Sequence, residues 1–195
     1  IGPQGLGLRI GAGKGRVETI RTGKALLSHE WYFVAGSYDA KTRSVRLLQE
    51  PLHQHVGARD AASKNTKAKH AAALGHGEPL IIGASFKQFD AGRTACAEHF
   101  NGKIDSPRIA SRALSDAELQ AFKAKRVSGA LLHDLVAAWD FGADITSVNV
   151  SDTSPNRLHG RVVNMPARGM TGYNWNGEEM CWRHAPDQYG AIHFH

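Results

Sequence analysis

Few residues in this chain set reactive side chains at spacings that chemistry uses. His53, Gln54 and His55, and again His193, Phe194 and His195, place two imidazoles two positions apart, on one side of an extended strand. A metal would still need a third ligand and partners that orient the rings, and no recognisable spacing supplies them. His53 and His55 therefore read as exposed loop residues. His193 and His195 read as packing or hydrogen-bonding residues and stand as candidate ligand or interface contacts. The run GAGKG around Lys14 offers backbone amides to an anion. The nucleotide-binding loop, however, requires G-x-x-x-x-G-K-S/T opening a helix, whereas here glycine follows Lys14 and an alternating strand comes next. A hairpin loop accounts for the glycines. Asp39, Asp105 and Asp152 carry oxygen ligands, but calcium gathers about six to eight oxygens, a convergence that spacing does not display. Asp105 is expected to accept hydrogen bonds from nearby backbone or from Arg108.

Aromatic faces serve both sugar rings and hydrophobic cores. Trp31 and Trp139 lie in apolar strands and are core candidates. Trp175 and Trp182 flank a polar stretch with Asn174, Gly177, Glu178 and Glu179, and are candidate exposed contacts to a ligand or an interface. No Ser-His-Asp order, glycosidase carboxylate pair or activated cysteine stands out. No catalytic, cofactor-binding or metal-ligating residue is expected within the chain.

The elements that must position these groups are mostly strands. Leu6, Leu8 and Ile10 alternate, the glycine run interrupts, and Val17, Thr19 and Arg21 resume a period of two, which makes a hairpin. WYFVAGSY at 31–38 suits a central strand, with Trp31, Phe33 and Ala35 on one face and Tyr32, Val34 and Tyr38 on the other. Residues 39–42 turn the chain and 44–49 return as its partner, stopped by Pro51. From 52 to 78 the composition shifts to Ala, Lys, His, Gly and Asn, a long surface excursion with a possible short helix over 67–74. PLIIGA at 79–84 reads as the next buried strand, 127–133 as a connector and LVAAWDF at 135–141 as a further strand. The richest stretch is HFNGKIDSPRIASRALSDAELQAF at 99–122, read as a strand pair running into a helix over 116–125. Ser115 with Glu118 makes a capping box, Leu114 with Leu119 a hydrophobic staple, and Leu119 with Phe122 a narrow apolar edge that must lie on a sheet.

Bulk properties exclude several classes. The 195 residues are 42% apolar, enough for a real core, and the net charge of +6 comes without a dense basic stripe or reader motif, so nucleic-acid binding is not expected. Cys96 and Cys181 fit reduced thiols, favouring a cytoplasmic setting. No apolar run reaches the roughly 18 residues of a membrane span, and neither a span nor a leader is expected. The start at Ile1 and the end within YGAIHFH read as a fragment of a longer polypeptide.

FNGKID, RI and RALSDAEL, together with WYFVAGSYD, resemble laminin-G-like, concanavalin A-like domains. The resemblance implies an all-β, antiparallel jelly-roll sandwich with one short helix. The opening pattern of such domains, W-x-F then Asp, a Ser/Asn turn and H-G, occurs here after the closing one, in AWDF and DTSPNRLHG. Either the sandwich takes an outer strand from its C-terminal side or a second module begins here. The first is favoured because sheet edges need partners. The expected organisation is a sandwich over 1–128, strands completing it over 129–165, and an extension over 166–195. More narrowly, AWDFGADI, HGRVVNMPARGMTGYNW and WRHAPDQYGAIHFH are similar to the large (beta) subunit family of bacterial N,N-dimethylformamidases. That resemblance implies an amidohydrolase parent whose mononuclear non-haem iron is held by tyrosines and a glutamate outside these residues. It also implies the rest of the large subunit, a small subunit and homo-oligomer copies as partners. Neither Tyr173 nor Tyr189 matches the pattern of those ligands. The role expected for the chain is a scaffold or subunit-interface module, with a carbohydrate-binding module as the alternative. A protein-interaction module using the basic 59–76 stretch is a third reading.

Overall fold

The computed structural model describes residues 2–53, 59–73, 79–88, 94–124, 127–163, 166 and 168. Strands β1 (Gly7–Gly11) and β2 (Val17–Arg21) form a hairpin whose loop passes through left-handed backbone at Gly13, Lys14 and Gly15, which is what the glycine run provides. β3 (Tyr32–Tyr38), β4 (Ser44–Pro51) and β5 (Ala62–Lys67) make an antiparallel sheet with β4 in the middle. β6 (Ser85–Gln88) pairs with β7 (Thr94–Ala97). β8 (Arg108–Ala110) leads to helix α1 (Asp116–Lys123) and a one-turn helix α2 (Ala130–His133). It then pairs with β9 (Leu135–Asp140) in a sheet ordered β11-β10-β9-β8, where β10 is Asn149–Asp152 and β11 is Gly160–Arg161. Every strand pairing among the described residues is antiparallel, so the all-β class holds.

Several local expectations give way to tertiary structure. The central strand of its sheet is β4, and WYFVAGSY lies at that sheet's edge. The excursion after residue 52 contains β5, a polar strand, and residues 67–73 form no helix. PLIIGA is not a strand, and its Leu80 and Ile82 are exposed. Within 99–110 the strand pair reduces to β8 alone, whose partner β9 comes after the helices. The helix ends at Lys123, and a second turn of helix forms within the connector.

Strand β4 organises the core through both of its faces. Val45 and Leu47 meet Ile10 and Ile20 of the hairpin, with Ala68 beside them. Gln49, on that same face, is completely buried. Its Oε1 accepts from the Leu6 amide at 3.1 Å and the Thr22 hydroxyl at 2.6 Å, and its Nε2 donates to the carbonyls of Lys24 at 3.1 Å and Asp60 at 2.7 Å. The carboxamide thus uses both donors and both lone pairs. Gly5 must be glycine for the same reason: at φ +79° a Cβ there would lie 2.1 Å from the Lys24 carbonyl and 2.7 Å from Gln49 Oε1.

On the opposite face of β4, α1 is tied down. Arg46 bonds Asp116, and Lys123 Nζ lies 3.0 Å from Glu50. Phe122 buries itself against Leu131, Leu135 and Ala138, with Phe33 of β3 packed on the same cluster, so the helix sits where the two larger sheets meet. The capping box forms as expected, Glu118 accepting from the Ser115 amide at 2.8 Å and the Ser115 hydroxyl accepting from the Glu118 amide at 3.4 Å. Arg112 adds a bond the sequence did not announce. It holds Glu118 in a two-point contact and reaches Asp134 at 2.8 Å, joining the start of α1 to the start of β9. Bonded first by Arg112 and then by Ser115, the Glu118 carboxyl falls to about 2.

Two outcomes are expected. Gln49→Leu keeps the volume but leaves two donors and two acceptors inside without partners, and should cost roughly 3–5 kcal/mol in urea unfolding; a loss under about 1 kcal/mol would show that these groups find other bonds. Asp152, described below, holds a folded pKa under the roughly 3.9 of a free aspartate, so its contribution is complete above about pH 4 and is lost as pH falls through the lowered value. The Tm gap between the wild-type chain and Asp152→Asn should therefore be wide at pH 7 and narrow steadily toward pH 3, and a gap that is constant with pH would contradict the assignment.

Candidate functional site

The cavity that stands out is small. Trp31, Tyr32 and Phe33 at the start of β3 line it with Asp105, Arg108 and Phe122, around about 80 Å³. That is well under the roughly 300–1,000 Å³ of small-molecule sites, enough for a few waters and too little for a sugar ring. Its polar groups are engaged in holding the fold. Asp105 accepts from the Ser106 hydroxyl at 2.9 Å. Arg108 donates to the Phe122 carbonyl and lies 5.6 Å from the Phe122 ring centroid, a cation–π contact. Trp31 is half-buried on this cavity wall, whereas Trp139 is core, its indole N–H donating to the Leu158 carbonyl at 2.9 Å.

A second cluster brings Asp152, Ser154 and His159 together, the residue types of a hydrolytic triad, but wires them differently. The Ser154 hydroxyl donates straight to Asp152 Oδ2 at 2.8 Å, and His159 Nδ1 accepts from the Asp152 backbone amide at 3.1 Å. No imidazole therefore stands between hydroxyl and carboxylate to take the proton, and Ser154 is only 4% exposed. The carboxylate also accepts from the amides of Ala138 and Ser154, each at 2.8 Å, and of Leu158 at 2.7 Å. Burial alone would push its pKa up, and these donors outweigh burial and bring it down. Asp152 is a knot that ties β9, β10 and the following loop, with its oxygens already bonded to four donors. Asp39 likewise closes its turn by accepting from the amides of Lys41 and Thr42, which lower its pKa, Thr42 contributing most.

Among the described residues, no three His, Cys, Asp or Glu side chains gather as a metal group. The described tyrosines are also committed. Tyr32 bonds Asp60 and accepts from the Leu27 amide at 2.9 Å, and burial, then the Asp60 bond, raises its pKa. Tyr38 accepts from the Ala72 amide at 3.0 Å. A tyrosine–glutamate iron site therefore does not fit these residues. His53 is exposed, as expected for a loop residue. Trp175, Trp182, His193 and His195, with His55, Tyr173, Tyr189 and Cys181, lie outside the described residues.

Sequence reasoning had no means of finding Gln49, because a glutamine inside a strand carries no periodic signal of burial. Asp152 was visible as a candidate oxygen ligand and as part of a turn-and-H-G pattern, but its role depends on a β9 amide that is distant in sequence.

Comparison with known proteins completes this picture. The chain is 33% identical over 201 residues to the N,N-dimethylformamidase beta subunit of Alcaligenes sp, an alignment covering 95% of this chain and 26% of that protein. It is 33% identical over 199 residues to the N,N-dimethylformamidase beta subunit of Paracoccus aminophilus, with the same coverage. The chain thus spans about a quarter of the length of the curated relatives it matches. The family model of the concanavalin A-like lectin/glucanases superfamily matches residues 2–120, from the N-terminal hairpin into α1. With antiparallel sheets and two short helices among its described residues, and this match over more than half its length, the chain belongs to the concanavalin A-like lectin/glucanases superfamily.

Proposed function

We propose that this chain is the non-catalytic β-sandwich portion of an N,N-dimethylformamidase-like large subunit, acting as scaffold or subunit-interface module. The parent reaction would be hydrolysis of dimethylformamide or a related small amide. The observation that carries this reading is similarity to beta subunits along nearly the whole chain, at about a quarter of their length. The wiring of the polar clusters supports it: the carboxylates, hydroxyls and guanidinium groups described above are bonded in ways that hold strands and helix together, and a group so held is a poor acid, base or nucleophile. The pairing of β8 with β9 supports the reading in which strands after residue 129 complete the sandwich. The remainder of the large subunit, a small subunit and further copies of the chain are the partners this reading assigns. The iron of the parent reaction would lie beyond these residues.

The test is an assay of this chain alone with dimethylformamide, with and without added ferrous iron. No release of formate or dimethylamine is expected, and measurable turnover that tracks the protein through purification would overturn the reading. Titration with oligosaccharides, followed by tryptophan fluorescence, should give no saturable change. Saturation would favour the carbohydrate-binding alternative.

A further inference from the structure

Beyond β11 the Val162 amide donates to the Val148 carbonyl at 2.7 Å, and farther on the Arg168 side chain reaches the same β9–β10 connection. Arg168 Nε donates to the Phe141 carbonyl at 3.2 Å, Nη1 to those of Ser147 at 2.9 Å and Asn149 at 3.1 Å, and Nη2 to that of Ala143 at 2.5 Å. All four acceptors are backbone oxygens, three in the connection and one at the first residue of β10. Carbonyl dipoles that converge on a point repel one another, so this curl of backbone needs a cation at its centre. A planar guanidinium, always charged and carrying five forked donors, suits that place better than an ammonium. The connection has its own short bonds, Gly142 amide to Asp140 at 2.8 Å, Ser147 amide to the Asp144 carbonyl at 3.0 Å and Asn149 amide to the Ser147 hydroxyl at 3.0 Å. These bonds close a loop whose carbonyls already face inward.

We propose that Arg168 is a fastening residue: its guanidinium holds the β9–β10 connection in its curled form and, by the same bonds, pins the chain after β11 to that end of the sheet. Residue 168 is then a fixed point at that end of the sheet. This deepens the scaffold reading and takes its functional meaning from it, since a support must set the direction of what it supports.

The chain itself tests the clamp without any activity assay. Trypsin accepts arginine or lysine but must seat the side chain in its own pocket, so the bond after residue 168 should be cut slowly in the wild-type chain. It should be cut roughly tenfold faster in Arg168→Lys, which keeps the cleavage site and loses the fork. Hydrogen exchange at the Gly142, Ser147 and Asn149 amides should rise by a similar factor in Arg168→Lys and Arg168→Gln, with β3 and β4 unchanged. Equal cleavage rates, or unchanged exchange in the connection, would overturn the proposal. So would a rise that spreads equally to β3 and β4, because Arg168 would then support global stability and not this connection. Amide hydrolysis by the chain alone would instead defeat the scaffold reading and leave the clamp standing.

Discussion

The buried carboxamide of Gln49 is the constraint on which the rest of the structure depends. A neutral polar side chain can be buried without a large penalty only if its hydrogen bonds are remade, and Gln49 remakes all of them with backbone and hydroxyl groups from distant segments. Those segments are the approach to β1, the exit from β2 and the approach to β5. One residue of the middle strand thereby sets where the N-terminal hairpin lies and where the polar edge strand begins. Asp60 extends the arrangement, its carbonyl on Gln49 and its carboxylate on Tyr32, so β3 is tied to the same point.

The second sheet has a comparable centre of different chemistry. Asp152 is charged, and its burial is tolerable because three amides and a hydroxyl converge on it. Helix α1 lies between these two regions, and the fixing of its first turn by a capping box and Arg112 gives Phe122 a definite place to insert. Both centres consume polar groups that a catalytic site would have to leave available. Among the described residues, these two centres are places where polar groups are fully satisfied.

What could be read from sequence was the part written locally. The β1–β2 and β3–β4 hairpins and the start of α1 each rest on signals within a few residues: alternation, left-handed glycines, and a serine three positions before a glutamate. What could not be read was decided by distant partners. ASKNTK has no apolar alternation and becomes β5 because β4 offers it an edge. PLIIGA has the composition of a buried strand, yet among the described residues it pairs with no strand and Leu80 is 61% exposed. Of the candidate site, the turn-and-H-G pattern around Asp152 stood in the sequence, but not which of its atoms would meet. The meeting of triad residue types around Asp152 could be understood only from which atom bonds which.

The hairpin at the N-terminal end has the look of an accessory that could be trimmed to obtain a smaller soluble domain. The geometry argues otherwise. Removing it would strip Gln49 of the Leu6 amide, the Thr22 hydroxyl and the Lys24 carbonyl at once, and would lay Val45 and Leu47 open to water. A shortened version would expose a sticky apolar strip around an amide stripped of three of its partners, and its shortcoming would be poor solubility before it was any change of shape. Domain boundaries for expression should therefore be drawn outside the hairpin.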